Sequence, residues 1–133
     1  MIVADNNLLV CLYVSGTRTS QAEAVFQRDP LWVSPYLWRS EFRNTLTGLV
    51  RWKTITLETA HHIANRAEAW MTGREYTVST DQVLDLAGRS NCSAYDCEYV
   101  TLAKELGVSL ITADRAVLKA FPTVAISIDK FVA

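Results

Sequence analysis

Short apolar runs alternate with amphipathic helical stretches along the whole chain, and two of those runs lead directly into an aspartate. Ile2-Val3-Ala4 hands over to Asp5, and Leu110-Ile111-Thr112-Ala113 hands over to Asp114. Runs this short and apolar fit strands buried on both faces. Strands interleaved with helices predict an α/β sandwich with a mostly parallel central sheet. Right-handed crossovers then bring the C-terminal ends of the first and of the fourth or fifth strand to one edge, where such folds take ligands.

Periodicity and punctuation supply the other elements. Asn6 to Tyr13 forms a short helix capped by Asp5, and Ser20 to Arg28 a second with Ala22, Val25 and Phe26 inward. Asp29-Pro30 stops it. Leu31 to Ser34 reads as a strand, and Pro35 as the first position of a long helix reaching Trp52. Trp38, Phe42, Leu46 and Leu49 mark the core face of that helix, with a polar stripe of Glu41, Asn44, Thr45 and Gly48 beside it. Leu57 to Met71 gives a partner helix, so the two form a hairpin projecting from the sheet. Glu75 to Val78 reads as a short strand, and Thr80 as the cap of a helix broken at Gly88 to Asn91. Ser93 to Leu106 is the clearest helix, with Tyr95, Tyr99, Leu102 and Leu106 on one face and Gly107 ending it. A strand to Thr112, a helix from Arg115 to Phe121 and a strand from Thr123 to Ile128 complete one domain over residues 1–133.

Four acids carry the chemistry: Asp5, Glu41, Asp96 and Asp114. Each has an ordinary structural reading. Asp5 and Asp114 cap the helices that follow them, Ser93-x-x-Asp96 resembles a capping box, and Glu41 is a solvated helix residue. The joint pattern says more, because caps at the C-terminal ends of parallel strands share one edge. Carboxylates gathered there repel one another unless a cation holds them, and an all-oxygen set suits Mg²⁺ or Mn²⁺. Asn7 and Thr112 add neutral hydrogen-bonding groups beside two of the acids. This pattern points to phosphoryl chemistry.

Composition sets few limits on partners. Thirteen Lys and Arg balance fourteen Asp and Glu for a formal charge of −1, which neither demands nor excludes nucleic acid. Three cysteines, Cys11, Cys92 and Cys97, lack zinc-site spacing and fit reduced thiols, so a cytoplasmic location is expected. No apolar run approaches the ~18 residues of a membrane span, and Met1 to Asp5 lacks the basic region of a signal peptide. His61 and His62 are adjacent on one helix and face different ways, which suits structural or surface roles. Of the four tryptophans, Trp52 is expected to be exposed and the others to lie in the core or an interface.

These residues carry a family likeness. The opening Met1 to Val10 resembles the start of PIN-domain proteins. Ser93 to Gly107 followed by Leu110 to Arg115 looks closer still, and Pro35 to Leu46 is similar to the helix bearing that family's second acid. A stand-alone PIN domain of this length resembles a VapC-type toxin, the ribonuclease half of a toxin–antitoxin pair. The resemblance implies a three-layer α/β/α sandwich with a projecting helical hairpin. It implies that Asp5, Glu41, Asp96 and Asp114 bind Mg²⁺ or Mn²⁺ and catalyse, with Asn7 and Thr112 as accessory polar groups. It also implies hydrolysis of RNA by metal-activated water, a homodimer, and a VapB-like antitoxin laid into the groove of the hairpin. Asn6 departs from the Thr or Ser frequent at that position. Arg39, Arg43 and Arg115 are the candidate contacts to RNA phosphates; for Arg43 and Arg115 the alternative is pairing with the site acids. Two other functions stay open: a non-catalytic RNA- or protein-binding module, and a phosphatase or phosphoacceptor domain, whose second aspartate would stand where Asn7 is.

Overall fold

A computed structural model describes residues 1–133. In chain order, β1 (Ile2–Ala4) leads to α1 (Asn6–Tyr13) and α2 (Thr19–Arg28). β2 (Trp32–Pro35) leads to the hairpin of α3 (Leu37–Arg51) and α4 (Leu57–Met71), and β3 (Glu75–Tyr76) to α5 (Thr80–Gly88) and α6 (Ala94–Leu106). β4 (Leu110–Thr112), α7 (Arg115–Ala120), β5 (Ala125–Ser127) and α8 (Ile128–Val132) follow. The sheet runs β3-β2-β1-β4-β5, and every pair is parallel.

That order fixes the layers. The chain steps from β1 outward to β3, then crosses back to β4 and β5. Right-handed crossovers therefore put α1 to α4 on one face and α5 to α7 on the other. α6 lies against β1, β2 and β4, which explains why Cys97, Tyr99, Val100, Thr101, Leu102 and Ala103 are all buried. The expected face of that helix differs in two ways: Tyr95, in the first turn, is exposed, while Cys97, Val100 and Thr101 off the expected stripe are buried because the helix lies between the sheet and α5. Strand order reverses between β1 and β4, which makes a crevice at their C-terminal ends.

The end of β2 shows how local chemistry sets the edge. Pro35 closes the strand instead of opening the helix, and Tyr36 takes the N-cap position. Ile2 N–H donates to the Leu31 carbonyl, so an N–H at residue 35 would be due to reach Ala4. Proline has none, and the Ser34 hydroxyl donates to the Ala4 carbonyl at 2.6 Å instead. The last carbonyl before Asp5 is thus satisfied inside the core. Other boundaries move little. Ser79 rather than Thr80 caps α5, β3 ends at Tyr76, and Gly107 closes α6 with φ +66° as expected. α8 was not anticipated; Ser127 ends β5 and accepts from Lys130 N–H, starting a helix where a longer strand was expected.

Arg39 has a structural task. Its guanidinium forks onto Glu75 at the start of β3, with Nη2 to Oε1 at 2.8 Å, and Nη1 reaches Glu68 of α4 at 3.2 Å. The Trp38 indole donates to the same Glu75 carboxylate at 2.8 Å. Glu75 is only 4% exposed, and the Arg39 hydrogen bond holds its carboxyl below the usual range. This corrects the expectation that Arg39 is free to meet phosphate. Arg39 is itself 31% exposed and Glu75 keeps the Trp38 donor, so Arg39→Met is expected to cost about 2 kcal/mol in urea unfolding, less than the loss of a fully buried pair. A loss below about 1 kcal/mol would show that the pair does not anchor the edge strand.

Candidate active site

Asp5 sits immediately beyond β1 at the crevice and caps α1, its Oδ1 accepting from Asn6 N–H at 2.7 Å. Its Oδ2 accepts from the Thr112 hydroxyl at 2.6 Å, across the β1–β4 pairing, and from Asn7 Nδ2 at 3.3 Å. The Thr112 oxygen in turn accepts from Asp114 N–H at 3.0 Å and Asn7 Nδ2 at 3.2 Å, and Asn7 Oδ1 accepts from Ala113 N–H at 3.2 Å. Asn7 and Thr112 therefore stand beside Asp5, where the sequence suggested, and tie the ends of the two strands together.

Glu41 reaches the same place from α3. It is half-buried rather than solvated, and Tyr99 of α6 donates to its Oε1 at 2.6 Å. Asp96 stands one turn before Tyr99 on the same helix, so both project over the sheet edge. Desolvation raises the carboxyl of Asp5 to about 6, and the nearby charges of Glu41 and Asp96 push the same way. Glu41 is raised by burial first and by Asp96 next, against the Tyr99 hydrogen bond, which lowers it. Burial and the Glu41 charge push the Tyr99 phenol up, so it remains a donor. Asp5, Glu41 and Asp96 are thus within electrostatic reach of one another.

The capping roles are real. Asp96 completes a capping box, accepting from Ser93 N–H at 3.3 Å while its own N–H donates to the Ser93 hydroxyl at 3.0 Å. Asp114 caps α7, its Oδ1 accepting from Ala116 and Val117 N–H at 2.9 and 3.1 Å. Each of these caps occupies one oxygen and leaves Asp96 Oδ1 and Asp114 Oδ2 without a protein donor, as is Oε2 of Glu41. Asn6 gives Nδ2 to Thr45 at 3.3 Å, while its Oδ1 is buried with no partner.

Free carboxylate oxygens and an orphaned amide oxygen suit a hard divalent cation. No three acidic, histidine or cysteine side chains converge into a ready-made ligand set anywhere in the chain. Arg43 pairs with Glu68 at 3.1 Å, and Arg115 makes no ion pair, so no arginine neutralises the four acids. Tyr99 and the Asn6–Thr45 contact were missed by sequence reasoning. The signal for Tyr99 was its spacing of three from Asp96, which was used only to mark a core face.

No family model matches the sequence, and no curated protein does. Solved structures match the fold. The crystal structure of PAE2754 from Pyrobaculum aerophilum aligns over 98% of this chain and 92% of that one, with a TM-score of 0.78 at 19% identity. FitAcB from Neisseria gonorrhoeae aligns over 96% and 98%, with a TM-score of 0.71 at 13% identity. The architecture is PIN-like: a five-stranded parallel sheet flanked by helices.

The titration of Asp5 yields a stability prediction. An unfolded aspartate titrates near about 3.9, so with a native value of about 6 the folded chain holds this proton more tightly between the two. The favourable contribution is complete below pH ~4 and is lost as pH rises through about 6, a change on the order of 2–3 kcal/mol. Asp5→Asn is therefore expected to raise the melting temperature in EDTA at pH 7.5 by roughly 5 °C or more and to change it little at pH 4. An equal effect at both pH values would contradict a desolvated carboxylate.

Proposed function

We propose that this chain is a metal-dependent ribonuclease, the toxin of a VapBC-type toxin–antitoxin pair. The observation that carries the proposal is at the switch point of the sheet: Asp5, Glu41 and Asp96, on three different elements, feel one another's charge there, Asp114 follows the neighbouring strand end, and no arginine offsets them. Asp96 Oδ1, Asp114 Oδ2 and Glu41 Oε2, which accept from no protein donor, would hold Mg²⁺ or Mn²⁺ together with remaining lone pairs of Asp5. Such an ion supplies the acidity that makes water a nucleophile and the charge that stabilises an in-line displacement at phosphorus. Thr112 and Asn7 fix the Asp5 carboxylate, and Tyr99 fixes Glu41, so the acids are oriented before RNA arrives. The products would be a 5′-phosphate and a 3′-hydroxyl. Arg115, next to Asp114 and free of ion pairs, is the better placed of the three arginines to meet a phosphate.

Partners follow from the same reading. α3 and α4 enclose a groove of about 300 Å³ lined by Leu46, Val50, Leu57, Ala60 and Ala64, with Arg43 and Arg51 at its rim. Trp52 stands 85% exposed beyond it. An amphipathic helix of a VapB-like antitoxin fits this groove, and a basic residue beside that helix would displace the metal from the acids. Homodimerisation and a cytoplasmic location belong to the same proposal. No helix of the chain is long and apolar enough to cross a membrane.

Purified protein incubated with single-stranded RNA is expected to cut it with Mg²⁺ or Mn²⁺ and not in EDTA, leaving 5′-phosphates, and Asp96→Asn is expected to lower the rate at least about 100-fold. Cleavage that persists in EDTA and in the variant would end the four-acid mechanism. Tyr99→Phe tests positioning. It removes a hydrogen bond that lowers the Glu41 carboxyl, so the acid limb of the pH–rate profile should move to higher pH, at a stability cost of only about 1 kcal/mol. An unshifted profile would mean that Glu41 does not need Tyr99.

A further inference from the structure

A second concavity opens on the same edge of the sheet as the acids. It is a cavity of about 410 Å³ whose floor and walls come from Tyr36, Tyr76, Val78, Val83, Leu84 and Glu98. Tyr36 follows the end of β2 and Tyr76 is the end of β3, with Tyr36 N–H donating to the Tyr76 carbonyl at 3.1 Å. The opposite wall is the first part of α6, the helix that carries Asp96 and Tyr99 into the acidic crevice. Cavity and crevice thus share α6 as a common wall. Glu98 is close enough to Glu41 to feel its charge, so a strand of nucleic acid with its phosphate over the acids would bring a neighbouring nucleotide toward this cavity.

The lining has an uncommon composition. Tyr36 and Leu84 are 53% and 60% exposed, so two large apolar surfaces face solvent at its mouth. Among them lies one charge, the half-buried carboxylate of Glu98, which has neither an ion-pair partner nor a hydrogen-bond donor in the chain. Isolated burial of a carboxylate is unfavourable unless a donor reaches it. An ionised carboxylate only accepts, and its charge excludes phosphate. The ligand this lining suits has a flat apolar face for the tyrosine and leucine, and N–H donors at its edge for Glu98.

A nucleobase has that form. Single-stranded RNA is read by stacking bases on aromatic side chains and bonding their exposed edges. Among the four bases, guanine places two adjacent donors, N1–H and the N2 amino group, on one edge, matching the two oxygens of a carboxylate. Adenine and cytosine offer a single amino group beside an acceptor that would face Glu98, and uracil offers a single N–H. We infer that this cavity is a base-binding subsite that selects guanine next to the position of cleavage, with Glu98 reading the Watson–Crick edge and Tyr36 stacking on the base. The inference builds on the ribonuclease proposal and names the sequence preference of that same site.

Binding measured without cleavage keeps the two apart. The ribotrinucleotides UpGpU, UpApU and UpIpU are titrated into the protein in EDTA and followed by amide NMR. UpGpU is expected to bind about tenfold more tightly than UpApU or the inosine analogue, which lacks the N2 amino group, and to shift Tyr36, Thr77 and Ala94. Glu98→Gln should remove that preference, while Tyr36→Ala should weaken all three ligands alike. Equal affinity for guanine and inosine would overturn the inference, as would shifts confined to other surfaces. So would protection of Tyr36 and Leu84 by a second copy of the chain, with no response to any trinucleotide. Metal-dependent cleavage with no guanine preference would leave the nuclease standing and remove the subsite. Guanine-selective binding without cleavage in metal would do the reverse.

Discussion

The hydrogen bond from Thr112 to Asp5 joins the two halves of the fold at the point where the sheet changes direction. β1 is the first strand and β4 the fourth in sequence, and 107 residues separate the bonded pair. Everything between must fold for the bond to form. The bond also sets what the edge can do. It holds a carboxylate that burial would otherwise drive toward its neutral form, and it orients one oxygen of that carboxylate while Asn7 braces the same atom. A threonine at the end of a fully buried strand is well suited to this, since its methyl packs with the core and its hydroxyl reaches the acid.

Three of the four acids hold two positions in the fold at once. Asp5, Asp96 and Asp114 each accept backbone N–H groups at a helix start, so ordinary helix-capping energetics already favour an acid there. Each cap uses only part of the carboxylate's capacity to accept. The structural and chemical readings of these residues are therefore not rivals. A cap fixes the side chain's direction by bonds that do not involve the ligand, which is what a preorganised site requires. Glu41 differs. It is mid-helix and caps nothing, and a tyrosine from the opposite layer has to hold it.

This division explains what the sequence disclosed. The short apolar runs, the hairpin of α3 and α4 and Gly107 were legible because each follows from local periodicity or backbone preference. Asp5, Asp96 and Asp114 were legible for the same reason, that a cap is a local event, and the parallel strands β1 and β4 send Asp5 and Asp114 to one edge. Pro35 was misplaced because both a helix start and a strand end tolerate a missing N–H, and only the pairing with β1 and the Ser34 hydroxyl decides between them. Arg39 was misread because its partner Glu75 lies 36 residues away on another strand. The Tyr99–Glu41 bond spans 58 residues and two layers, and α8 begins at a serine that also ends a strand. What escaped depends on contacts between distant segments, where periodicity carries no information.

Charge is distributed unevenly despite the near-zero total. All five ion pairs of the chain lie elsewhere, using Asp29, Asp129, Glu68 and Glu75. The crevice acids have only hydroxyls, amides and helix N-termini for company. A helix N-terminus carries at most about half an elementary positive charge, so three of them offset roughly one and a half of the four negative charges. Two to three remain; burial is the first cause that raises Asp5 and Glu41, and the neighbouring carboxylates push the same way. A monovalent side chain entering the crevice would correct part of this. A divalent ion would correct nearly all of it, and would do so through oxygens the caps leave free.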